Sequence, residues 1–237
     1  MDFNFCKILQ TITEQQVCNG TNPPPINPYH PNGNMTCVYQ IPSTDLPNGL
    51  SEQYIFVGNC EFTSNNLEYS NIAGVLNVAY DVNDSPNFQI ANGTKILGKP
   101  LFDLQLSKVG LIDGPGNEKN ALVAAIYMAD QLLKFPTPHE QASANPPGLG
   151  MDNIIKQGNL LIHCHSGGSR SVTITALYIY YKFCVGTSTT FIDVYSDIIC
   201  YRWEGGATNH HPTYGICETA YNVLNTYGQL FPVPVLK

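Results

Sequence analysis

Leu160-Leu161-Ile162-His163 is a short apolar run that passes through a loop holding Gly167 and Gly168 into a strongly apolar stretch from Ser171 to Phe183. Three apolar residues in a row, closed by His163, suit a strand buried on both faces. The stretch from Ser171 is long enough for a buried helix. Strand, glycine loop and helix in immediate succession form the building unit of an α/β layer fold. Two more runs fit that architecture. Tyr54-Ile55-Phe56-Val57-Gly58 is aromatic and β-branched and stops at glycine, and Gly74 to Tyr80 is almost continuously apolar. Between Lys119 and Lys134, Leu122, Ile126, Ala129 and Leu133 fall on one stripe at helical spacing, and a last helix is expected over Ile216 to Tyr227. The expected fold is α/β, a central and mainly parallel sheet flanked by helices.

The ends of the chain differ in texture. Residues 1–49 hold Pro23-Pro24-Pro25, Asn27-Pro28, His30-Pro31 and Asn32-Gly33 with little apolar periodicity, which reads as an irregular extension ahead of a domain at 50–237. Cys6, Cys18, Cys37 and Cys60 are candidate staples for that extension, in a connectivity that spacing leaves open. Pro136, Pro138, Pro146, Pro147, Gly148 and Gly150 mark 135–150 as a surface loop.

Charge narrows the partners. Only 12% of residues are charged, the net charge is −7, and no block of Lys or Arg occurs. Nucleic acid and anionic membranes are poor partners for such a surface. No apolar run reaches the roughly 20 residues that cross a bilayer. The opening residues do not read as a signal peptide, yet eight cysteines with few charges suit an oxidising compartment. A secreted form or another oxidising compartment is expected ahead of the cytoplasm.

The chemistry is concentrated in His163-Cys164-His165-Ser166-Gly167-Gly168-Ser169-Arg170-Ser171. A buried parallel strand delivers Cys164 to the carboxyl edge of the sheet, where ligand sites form in α/β proteins. Five residues with adjacent glycines separate Cys164 from Arg170. Such a loop can curl until successive backbone N–H groups point inward and cradle an anion. A helix starting near Arg170 aims its positive end at the same point. That field favours a thiolate at Cys164, and Arg170 offers a planar fork for two phosphate oxygens. Ser171 can donate a hydrogen bond to the sulfur. A buried cysteine taken alone is usually a small hydrophobe; its place between strand, glycine loop and arginine is what favours a nucleophile.

This stretch resembles the signature of the cysteine-based protein tyrosine phosphatases: His-Cys, five residues, Arg, then Ser or Thr. Gly167, Ser169, Arg170, Ser171 and Thr173 fall where the dual-specificity branch carries the same residues, whereas Ser166 stands where Ala is common. Tyr54 to Asn59 followed by Ile72 to Ala79 looks like the opening strand and second strand of those domains. The similarity covers about residues 50–227. It implies a phosphatase-like α/β fold and a phosphocysteine intermediate, with Cys164 as nucleophile and Arg170 as clamp. It further implies a phosphate loop of His165, Ser166, Gly167, Gly168 and Ser169, with His163 supporting that loop rather than moving a proton.

The family also uses an aspartic acid on a mobile loop. The matching position is Asp113 in Leu111-Ile112-Asp113-Gly114-Pro115-Gly116, where glycines on both sides of Pro115 suggest a loop able to close. Asp-Gly also favours a plain turn; Asp103 and Glu118 are the fallbacks. A zinc site from His163, Cys164 and His165 fits poorly beside Arg170, and His210-His211 reads as a surface pair before Pro212. No cofactor or metal is expected. The expected substrates are phosphorylated proteins or small phosphomonoesters, because the loop between Cys164 and Arg170 lacks the extra cations that would suit inositol phosphates. A catalytically silent phosphate-binding or scaffold protein is the alternative, for instance if Cys164 were locked in a disulfide.

Overall fold

The computed structural model describes residues 3–12, 34–42, 53–62, 66–67, 70, 72–83, 95–96, 99–100, 105–133, 158–207 and 212–231. Three strands expected from apolar runs form the centre of the sheet: β2 (Tyr54–Gly58), β3 (Ile72–Ala79) and β7 (Asn159–His163). Every residue in all three is buried, as continuous apolar runs require. Two further strands complete it, β1 (Met35–Gln40) and β6 (Gln105–Leu111), in the order β1-β2-β7-β3-β6. β2, β7, β3 and β6 are parallel, and β1 pairs antiparallel with β2. Lys95–Ile96 (β4) and Lys99–Pro100 (β5) make a separate two-stranded ribbon.

Five α-helices accompany the sheet among the described residues. They are α1 (Phe3–Thr11), α2 (Lys119–Leu132), α3 (Arg170–Ile179), α4 (Phe191–Glu204) and α5 (Tyr214–Thr226). Strand alternation divides the core into two layers. Ile55, Val57, Leu76, Val78, Leu160 and Ile162 join the helices in the main cluster, while Tyr54, Phe56, Val75 and Leu161 pack with Phe62 and Leu67 in a smaller one. No described helix is long and apolar enough to cross a membrane.

The segment before residue 50 corrects the sequence reading. It is not irregular throughout: it supplies α1 and β1, and β1 runs along β2 from Met35↔Gly58 to Gln40↔Tyr54. The division at 49/50 therefore falls between two paired strands. α1 is only 9 residues long, too short to stand by itself in water, and it lies ahead of a Pro- and Asn-rich stretch. Its Cys6 and Leu9 are buried nevertheless, and Phe5 stacks near Phe191 and Tyr221 at 5.8 and 5.2 Å. Cys6, Cys37 and Cys60 form no disulfide, so the expected staples at those positions are absent. Cys18, the Pro-rich residues 13–33 and the 135–150 loop lie outside the described residues.

Two helical details also differ. The stretch expected to be one helix from Ser171 to Phe183 is α-helical only to Ile179 and then widens into a π-helical turn, Tyr180–Cys184, closed by Val185 N–H donating to Tyr180 O at 3.0 Å. α4 was not expected at all. A capping box announces it: Asp193 N–H donates to Thr190 Oγ1 at 3.2 Å, and Thr190 N–H donates to Asp193 Oδ2 at 2.8 Å.

Candidate active site

The parallel strands end on one edge, with Gly58 and Asn77 both in register with His163. Cys164 follows at once, and the loop 164–169 turns into α3 at Arg170. The chain after β2 anchors the loop: Cys164 N–H donates to Gly58 O at 3.4 Å, and Cys60 N–H to His165 O at 2.9 Å. Gly167 adopts φ +72°, and a Cβ there would lie 2.8 Å from the Gly58 carbonyl. Glycine is required at that position both by backbone conformation and by close packing.

Cys164 is 1% exposed, and its Sγ lies 3.2 Å from Ser171 Oγ. Ser171 sits in the first turn of α3, so sulfur, hydroxyl and helix N-terminus converge. Cys164 is a free thiol. His163 is buried below the loop, with Nδ1 3.4 Å from Cys164 O and its ring edge-on to Phe62 at 4.8 Å. His165 and Ser166 are exposed at the rim, whereas Gly168 and Ser169 are buried.

Arg170 is held by a partner that the motif does not contain. Its Nη1 donates to the Asp81 carboxylate and, at 3.1 Å, to Leu111 O, while Nε is buried with no partner among the described residues. The second Asp81 oxygen meets His165 Nδ1 at 3.1 Å. Arg170, and then His165, hold the Asp81 carboxyl well below the usual carboxylate range. Asp81 directly follows Tyr80 beyond β3 and belongs to no sequence pattern. The one signal was its place, a carboxylate just past a buried parallel strand, on the edge where such sites form.

Asp113 reaches the loop through Ser169. Ser169 Oγ donates to Asp113 Oδ1 at 2.7 Å, Thr213 Oγ1 donates to the same oxygen at 3.2 Å, and Thr213 N–H donates to Ser169 Oγ at 3.3 Å. The loop carrying Asp113 is braced. Asn117 accepts from Ile112 N–H at 2.8 Å and donates to Ile112 O at 2.8 Å and Gly114 O at 3.1 Å. Gly215 in the first turn of α5 lies so close to the Gly114 backbone that a Cβ has no room there. The loop is thus docked against α5, the close approach being permitted by Gly215, while Gly114 has room for a side chain and Gly116 takes φ +101°. Asn117, Thr213 and Gly215 escaped the sequence reading because each matters only through a partner distant in the chain. Of the fallback acids, Glu118 stands at the start of α2 and makes no side-chain capping bond, while Asp103 lies outside the described residues, as do His210 and His211. Among the described residues no group of three or more His, Cys, Asp or Glu is arranged to hold a metal ion.

No protein-family model and no curated protein matches the chain. Solved structures do resemble it. Human DUSP28 aligns with a TM-score of 0.44 at 11% identity, over 73% of this chain and 88% of that one. The Yvh1 phosphatase domain from Chaetomium thermophilum gives 0.46 at 15%, over 73% and 90%. Human tyrosine phosphatase-like serine/threonine/tyrosine-interacting protein gives 0.44 at 15%, over 73% and 92%. Likeness at that level decides nothing about activity, which must be judged from the site.

Proposed function

We propose that this chain is a cysteine-dependent phosphomonoester hydrolase of the dual-specificity phosphatase kind, acting through a phosphocysteine intermediate. The observation that carries the reading is the convergence on one loop of Cys164 Sγ beside Ser171 Oγ, an oriented Arg170, and Asp113 bonded to Ser169. In the proposed first step the Cys164 thiolate attacks phosphorus in line and the P–O bond to the leaving group breaks. Asp113 gives its proton to the departing oxygen. Backbone N–H groups of the loop and the Nε edge of Arg170 hold the non-bridging oxygens. In the second step Asp113 takes a proton from water, the resulting hydroxide attacks the phosphocysteine, and the thiolate leaves with the help of the Ser171 hydroxyl. The charge developed on the phosphoryl group is met by Arg170 and the helix terminus, so the proposed route calls for no metal.

Proteins bearing phosphotyrosine, phosphoserine or phosphothreonine are the proposed substrates, with small aryl phosphates as surrogates. The silent-scaffold alternative loses its simplest cause, because Cys164 is a free thiol. Hydrolysis of an aryl phosphate under reductant, compared with Cys164→Ser and Asp113→Asn, tests the reading. Turnover lost in the first and strongly lowered in the second is expected. An inactive parent chain would return the fold to phosphate binding without catalysis.

A further inference from the structure

Arg202 on α4 is 0% exposed. Its Nη1 donates to Val57 O and to Thr36 Oγ1, each at 3.1 Å. Nε and Nη2 are buried as well and have no hydrogen-bond partner among the described residues. Nη2 points at the anion loop: a Cβ built on Gly167 would lie 2.5 Å from it. The guanidinium is therefore packed against the loop backbone from the interior, while Arg170 meets Asp81 at the opening.

A cation in that position calls for a counter-charge. Burying an unpaired guanidinium is strongly unfavourable, and an ion-paired carboxylate is the usual remedy. Among the described residues no Asp or Glu makes an ion pair with Arg202. Burial pulls its proton affinity down to about 10, which still leaves it cationic at neutral pH, and the one favourable charge acting on it is that of Cys164. The other charged or titratable groups around the loop are His163, His165, Arg170, Asp81, Asp113 and Cys60. Asp81 already offsets Arg170. Apart from Cys164, Arg202 has no counter-charge among the described residues, and two of its donors are unspent.

We infer that Arg202 is a positioning residue of the anion site, a buried second cation that holds the loop backbone from below and attracts an oxyanion bound above it. The inference rests on the anion-loop reading of 164–170 but not on turnover. It differs from a plain structural role, in which Arg202 would only tie α4 to β1 and β2 through Thr36 and Val57.

Binding of inorganic tungstate to the full-length Cys164→Ser chain, followed by calorimetry, separates the two. Arg202→Gln keeps amide donors for Thr36 and Val57 but removes the charge, and should weaken tungstate binding about tenfold, the scale of one charge-assisted hydrogen bond. Arg202→Lys should recover most of that loss even with a lowered melting temperature. Equal affinity in Arg202→Gln and its parent would overturn the inference, and so would a parent that binds no tungstate. Should Arg202→Gln fail to fold, the Arg202 Nε–H resonance in the parent is the readout. It should shift on saturation with tungstate, and an unmoved resonance would equally overturn the inference. Tungstate binding that depends on Arg202 in a chain whose Cys164-bearing form hydrolyses nothing would remove the enzymatic reading and leave this one standing.

Discussion

Asp81 binds Arg170 Nη1 with one carboxylate oxygen and His165 Nδ1 with the other, so a single half-exposed side chain fixes both the guanidinium and the rim of the loop. Leu111 O accepts from the same Nη1 at 3.1 Å. One edge of the fork is thereby occupied by the protein, and the Nε edge remains for a ligand. An arginine held this way loses less side-chain freedom on binding phosphate than a mobile one.

Asp81→Asn should consequently raise KM for an aryl phosphate more than it lowers kcat, by about tenfold, the scale of one hydrogen bond to a charged group. Steady-state kinetics would check it. An unchanged KM would mean that Leu111 O alone orients Arg170.

The same pair predicts a pH dependence. The Asp81 carboxyl is held below its ordinary value by Arg170 and His165. A depressed carboxylate contributes stability that is fully present above its unfolded pKa, near 3.9, and is lost as pH falls towards the lower folded value. Thermal melts of parent and Asp81→Asn should differ at pH 6 and converge only well below pH 4. Convergence already at about pH 5 would contradict the shift.

Asp113→Asn should lower kcat by about a hundredfold or more for a substrate with a poor leaving group. A substrate whose leaving oxygen needs no proton should lose much less. Parallel losses across a leaving-group series would point to a structural role for the Asp113–Ser169 contact instead.

Gly167→Ala should destabilise the chain by about 1–3 kcal/mol, since alanine is strained at a positive φ. Its methyl would also press on Gly58 and Arg202. Chemical denaturation would measure this. A wild-type midpoint would show that the loop relaxes freely.

Leu9→Ala should cost about 2–5 kcal/mol if α1 packs as a brace, because Leu9 is fully buried among the main cluster. An unchanged melting curve would dismiss the brace.

The central strands β2, β3 and β7 were legible in the sequence because strands buried on both faces must be continuously apolar, and runs of 5, 8 and 5 residues are too short for buried helices. The glycine loop that joins β7 to α3, with Cys164 at one end and Arg170 at the other, was legible for a related reason. A loop that cradles an anion needs glycine and a fixed spacing, and both are properties of consecutive residues. α1, β1 and α4 were not, since their stability comes from pairing with β2 and packing on α3 and α5 rather than from local periodicity. The same limit applies to the site. Asp81 meets Arg170 across 89 residues, Thr213 meets Asp113 across 100, and Thr36 meets Arg202 across 166. Such contacts leave no trace in spacing, because the energy of a hydrogen bond depends on distance in space and not along the chain. The sequence by itself determined a mainly parallel sheet whose central strand runs through a glycine loop, with Cys164 at its base, into a helix. Only the tertiary structure decided which carboxylate meets Arg170 and which buried cation packs against the loop at Gly167.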